Sequence, residues 1–224
     1  GGAGADVVDG GGGNDTLIYD IKDISLKGGS GTDTLVINAA PNLLDLSDAG
    51  RPTNGALHPT LQSLEVLNFN NGNADLIVIS PASLYAMGNE NNTVTINTSA
   101  GDQLFLESKT NWGTSLNQGG YDEYTISYTP DGGSATVLKV RVTAGTSVSD
   151  VTLGTANAET ITGTSGSDVI KTGAGNDVIT GGSGADVIEA GDGNDTVTYD
   201  TSDWHVFGGS GDDTLMVNTG LSNG

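Results

Sequence analysis

Four aspartates, Asp168, Asp177, Asp186 and Asp195, stand nine residues apart, each preceded by a glycine-rich turn and followed two places later by Ile or Val. The run 166-GSDVIKTGAGNDVITGGSGADVIEAGDGNDTVTYD-200 is a series of near-repeats of G-G-x-G-x-D-x-U-x, where U is a large aliphatic residue. The chemistry open to such a series is capture of a hard cation. Carboxylates stacked along an axis repel one another unless positive charge lies between them. Ca²⁺ takes six to eight oxygens at about 2.3–2.6 Å, and two Asp side chains with several turn carbonyls can supply that set.

The elements that must hold these groups follow from the spacing. Two nonapeptides make one turn of a flattened roll, so residue i lies on residue i+18, about 4.8 Å away. The last three residues of each nonapeptide form a short strand whose central aliphatic points inward: Ile161, Ile170, Ile179, Ile188 and Val197. The turns need positive φ and carbonyls free to face the ion, so Gly173, Gly175, Gly182, Gly184, Gly191 and Gly193 join the candidate site residues. The expected ligand pairs are Asp168 with Asp186, Asp177 with Asp195, Asp195 with Asp213, and Asp15 with Asp33. Asp6 meets Ile24 at i+18, so its partner is expected upstream, and Asp186 meets Trp204 in the same way. Asp23 or Asp203 would serve only through a shifted loop, and no site is assigned there. Glu159 opposite Asp177 is a weaker candidate because of its extra methylene.

A longer period contains the short one. Residues 1–38 realign without a gap on residues 181–218, and 22 of the first 40 aligned positions are identical. The chain thus reads as one unit of about 180 residues plus the opening of the next, and it opens in mid-repeat, as a fragment of a tandem array would. The expected fold is all-β: right-handed parallel β-roll segments flanking a β-rich module with little helix. Residues 1–38 are the end of one roll, 39–150 the intervening module, and 151–224 a second roll whose overlap with the next unit begins at 181. Within the module, Val94 and Ile96, Tyr124, Ile126 and Tyr128, and Leu138, Val140 and Val142 alternate as strands do. Asp131-Gly132-Gly133 reads as a hairpin turn. A short helix is expected over residues 80–88, with Ser80 as N-cap, Pro81 at the first helical position and Gly88 just past the end.

Composition excludes several functions. With 28 acidic against 7 basic residues and a formal charge of −21, the surface does not suit nucleic acid or an anionic membrane. No apolar stretch is long enough for a membrane span, so no insertion is expected. There is no Cys, and with it no disulfide or thiolate metal site. The motifs H-E-x-x-H and G-x-S-x-G are absent, and Glu107, Asp122 and Glu123 read as solvated loop charges rather than a glycosidase pair. No enzyme activity is expected. Trp112, Tyr121, Tyr124 and Tyr128 are concentrated enough to raise a glycan- or peptide-binding face as an alternative, with Tyr124 and Tyr128 better read as core.

These repeats resemble the repeats-in-toxin (RTX) nonapeptides of proteins exported by type I secretion. A looser likeness joins 61-LQSLEVLNF-69, 92-NTVTI-96 and 100-AGDQL-104 to modules of very large bacterial RTX adhesins. The resemblance implies several bound Ca²⁺ ions, folding outside a cell where calcium is plentiful, and a place at the bacterial surface. It also implies partners that are copies of the same repeat, in tandem or by self-assembly into a surface layer or filament.

Overall fold

The computed structural model describes residues 2–19, 22–38, 43–47, 60–88 and 92–218. They fall into two units, Gly1–Ser149 and Asp150–Gly224, and are nearly all β, as expected. Among the described residues no helix is long and apolar enough to cross a membrane.

The first unit contains strands β1 (Val7–Gly12), β2 (Thr16–Ile18), β3 (Ser25–Ser30), β4 (Thr34–Val36), β5 (Leu43–Asp45), β6 (Thr60–Gln62) and β7 (Val66–Asn68). It continues with β8 (Leu76–Ile79), helix α1 (Pro81–Ala86), β9 (Thr93–Asn97), β10 (Gln103–Leu106), β11 (Gly113–Ser115), β12 (Tyr121–Tyr128), β13 (Thr136–Thr143) and β14 (Ser147–Asp150). The glycine repeats open two parallel stacks, β1 on β3 and β2 on β4. Neither stack stops where the glycines do: β3 pairs in parallel with β6, β4 with β7, β7 with β9 and β9 with β13. Strands expected in a distinct module therefore share a seven-stranded sheet with the roll, in the order β11-β12-β13-β9-β7-β4-β2. The cause is a continuous aliphatic row, since Leu17, Leu35, Leu67, Ile96 and Val142 lie in register on successive strands and all are buried. A second row, Leu44, Ile77 and Leu104, crosses β5, β8 and β10.

Longer connections replace the glycine turns in this stretch. Helix α1 starts as expected, with the Ser83 amide donating to Ser80 Oγ at 3.0 Å and Pro81 in the first turn, and Gly88 follows it at φ +58°. The antiparallel hairpin of β12 and β13 is also present, closed by the Gly133 amide on the Pro130 carbonyl. Leu138, Val140 and Val142 are fully buried, while Lys139 and Arg141 lie on the other face beside Glu123. Two expectations need correction. Trp112 is a core residue whose indole donates to the Glu107 carbonyl, so it forms no sugar-binding face, while Tyr124 is core as expected. Asp122 and Glu123 are not loop charges: they lie on β12, where consecutive side chains point to opposite faces.

The second unit is a regular roll. Strands β15 (Thr152–Leu153), β17 (Val169–Lys171), β19 (Val187–Glu189) and β21 (His205–Phe207) form one parallel sheet. The strands β16 (Thr160–Thr162), β18 (Val178–Thr180), β20 (Thr196–Tyr199) and β22 (Thr214–Val217) form the other. Ile170 and Ile188 from the first sheet meet Ile179 and Val197 from the second in a core completed by Ala190, with Ile161 only partly buried against it. Val169 and Val187 are buried as well, on the opposite face of their strands, but the enclosed core is only a few small aliphatics, so the turns must contribute to holding the rungs together.

Candidate calcium ladder

Each turn delivers its Asp to the same place. The Asp177 amide donates to Asp195 Oδ1 at 2.7 Å, the Asp168 amide to Asp186 Oδ1 at 2.9 Å, and the Asp195 amide to Asp213 Oδ1 at 3.0 Å. In the first unit the Asp15 amide donates to Asp33 Oδ1 at 2.8 Å. All four expected pairs are brought together, though not carboxylate to carboxylate. One oxygen of each acid caps the amide of the acid one rung earlier, which leaves the second oxygen for other work.

That second oxygen is the informative one. Oδ2 of Asp15, Asp33, Asp177, Asp186 and Asp195 is buried without any hydrogen-bond partner. Asp33, Asp177, Asp186 and Asp195 are each at most 1% exposed. The oxygen sits in a cradle made by the first glycine of its own repeat: a Cβ placed on Gly181 would lie 2.6 Å from Asp186 Oδ2, and one on Gly10 2.8 Å from Asp15 Oδ2. A buried anionic oxygen with no donor costs several kcal/mol on the order of magnitude expected for an unpaired charge. A row of them fits a bound cation and fits little else. Among the described residues no three His, Cys, Asp or Glu side chains converge on one point, so most ligands in such a site have to be backbone carbonyls or water.

Burial first, and mutual repulsion after it, are written into the titration of these groups. Burial pushes the Asp186 carboxyl up to about 7; the Asp168 amide opposes this, and the charges of Asp203, Asp168 and Asp200 add to it. Burial also raises Asp195, with Asp177 and Asp213 repelling it. The turn glycines take the left-handed or related conformations expected, Gly173 at φ +97° and Gly191 at +96° among them. The carbonyls of these two each accept an amide from the next rung, Asp192 and Ser210 respectively, so one lone pair of each remains for an ion.

The imperfect repeats divide into two kinds. Some acids are satisfied locally. Asp168 Oδ2 accepts from the Thr164 amide and hydroxyl, and Asp6 Oδ2 from the Gly2 amide. The Glu159 side chain bonds the Thr155 amide and hydroxyl, which holds its carboxyl below the usual range, while its own amide donates to Asp177 Oδ1. At the other kind, the loop shift to which no site was assigned does occur: the Asp186 amide finds Asp203 Oδ1 at 3.1 Å, one residue before Trp204.

Sequence reasoning also missed acids beyond the glycine repeats. The Asp33 amide donates to Glu65 Oε2 across 32 residues, and the Asp75 amide to Asp102 Oδ1 across 27. Both continue the amide-to-carboxylate clamp of the rolls. Burial raises the Asp75 carboxyl, with Asn71 opposing and Asp102 adding to the shift. The available signal was the acid-x-aliphatic spacing in Glu65-x-Leu67, Asp75-x-Ile77 and Asp102-x-Leu104, without the full G-G-x-G frame.

The family model of the RTX calcium-binding nonapeptide repeat matches this chain in four copies, at residues 1–20, 153–188, 162–197 and 205–220. No curated protein matches it. Calcium, when bound, supplies the positive charge that lets the buried carboxylates approach, and the chain's own contribution is to clamp one oxygen of each acid and expose the other. Repeats of this family thus lie on both parallel rolls just described, and the chain carries RTX calcium-binding structural repeats.

Proposed function

We propose that this chain is an extender repeat of a secreted bacterial RTX adhesin, stiffened by calcium at the surface of the cell. The ligands we assign are Asp15, Asp33, Asp168, Asp177, Asp186, Asp195 and Asp213, with Asp6 and the turn carbonyls of Gly173, Gly175, Gly182, Gly184, Gly191 and Gly193. The 180-residue period supports a tandem array in which rolls at 1–38 and 151–224 alternate with the longer rungs of 39–150. The observation that carries the reading is the row of buried, partnerless Oδ2 atoms beside a core of a few small aliphatics. Such a roll has little reason to fold where calcium is scarce. Extracellular calcium modules bind at about 10⁻⁴–10⁻³ M, so folding would follow export.

A second reading is a subunit of a calcium-dependent surface layer or filament. Circular dichroism during a calcium titration, run with sedimentation, tests both. An extender gains its β signal with calcium and stays monomeric, and a lattice protein assembles. A full β spectrum in chelator overturns both readings.

A further inference from the structure

The defective repeat at Trp204 has not lost its acid but divided it. At Asp177, Asp186 and Asp195 one Asp does two things: Oδ1 takes the amide of the residue 18 positions earlier, and Oδ2 stays buried and unpartnered. At this rung Asp203 Oδ1 takes the Asp186 amide, but Asp203 Oδ2 is occupied by the Asp200 amide at 2.8 Å. The free oxygen has moved to Asp200. That residue is 4% exposed, its Oδ1 accepts from the Ser202 amide at 2.6 Å, and its Oδ2 has no partner. Asp186, fully buried, offers its own unpartnered Oδ2 one rung earlier, and the Asp200 charge acts on it directly.

We infer that Asp186 and Asp200 form a divalent-cation site at the defective repeat, with Asp203 clamping the amides of both, so that the two tasks of an ordinary second carboxylate are divided between Asp203 and Asp200. The inference rests on the calcium-roll reading above and adds a site that the nonapeptide spacing does not contain. A role for Asp200 as a turn cap alone leaves its second oxygen unexplained, because capping Ser202 uses only Oδ1 and an Asn would do it equally well. Two buried carboxylate oxygens favour a hard divalent ion over a monovalent one, and turn carbonyls and water complete its shell. The same Tyr-Asp-x-x-Asp occurs at 19–23 in the first copy, and Asp23 there is 1% exposed. The two acids thus keep the same spacing at the same phase of both copies in the sequence.

The test counts calcium bound by the full chain, using equilibrium dialysis at saturating calcium. Asp200→Asn is expected to bind one ion fewer than the unsubstituted chain, while Asp212→Asn, an equal charge change on an exposed turn residue, keeps the full number. An undiminished count in a folded Asp200→Asn chain overturns the inference. Should that variant fail to fold, crystals of the unsubstituted chain grown in calcium decide the matter. An anomalous peak shared by Asp186 Oδ2 and Asp200 Oδ2 supports the site, and its absence from a well-ordered rung overturns it. Ions found between Asp177 and Asp195 but not here sink only this inference, whereas no bound calcium anywhere sinks the calcium roll itself.

Discussion

Replacing Asp186 with Asn should change stability in opposite directions with and without calcium. In the metal-free chain the carboxyl is displaced from 3.8 to about 7, which corresponds to roughly 4 kcal/mol disfavouring its charged form at neutral pH and above. Asn keeps the oxygen that caps the Asp168 amide and removes the charge. Its new amide group is buried in place of Oδ2 and loses on the order of 1–3 kcal/mol if unpaired. The net expectation in chelator is a stabilisation of about 1–3 kcal/mol. In calcium the same change removes a ligand, and a site at 100 times its Kd contributes roughly 2.7 kcal/mol, so the variant should be less stable by about that much. Urea midpoints followed by circular dichroism at pH 7.5, in chelator and in millimolar calcium, give both numbers. A shift of the same sign in the two conditions refutes the argument that repulsion and ion binding act on one oxygen.

Without calcium, stability should fall as pH rises. The folded pKa of Asp186 lies above its unfolded value, so the folded chain holds the extra proton, and the benefit is complete below about pH 4 and lost as pH passes about 7. Melting temperatures in chelator between pH 5 and 8 check this, and calcium affinity should move the other way, weakening as pH drops. Gly191→Val places a side chain at φ +96° against the Gly173 carbonyl; backbone strain alone is about 1–3 kcal/mol, and the calcium midpoint for folding should rise. Leu67→Ala opens the shared row between Leu35 and Ile96. It should cost about 2–5 kcal/mol in the thermal unfolding of residues 1–149, and a neutral result would argue against one continuous sheet.

The parts of this molecule that were legible in its sequence are those fixed by neighbours a few residues away. Asp177 and Ile179 sit where G-x-D-x-U puts them because glycine turn, acid and inward aliphatic occupy one nonapeptide. Ser80, Pro81 and Gly88 mark α1 for the same reason. Glu65 was illegible as part of the ladder because its turn has no glycines and its partner Asp33 lies 32 residues away, a distance set by Leu35 packing on Leu67. Asp203 was set aside because a strict count of 18 lands on Trp204, and only the local turn, with Asp200 and Asp203 bonded to each other, absorbs the missing residue. Trp112 misled for a different cause: aromatic content does not reveal which side chains are covered.

The clamp between successive acids has a direction. In every ordinary pair the earlier residue offers its amide and the later one closes the latch with its carboxylate. A coil of the solenoid is thus finished only when the following coil exists. Trimming the structure from its carboxyl end releases the coil that remains, whereas trimming from the amino end leaves every surviving latch shut.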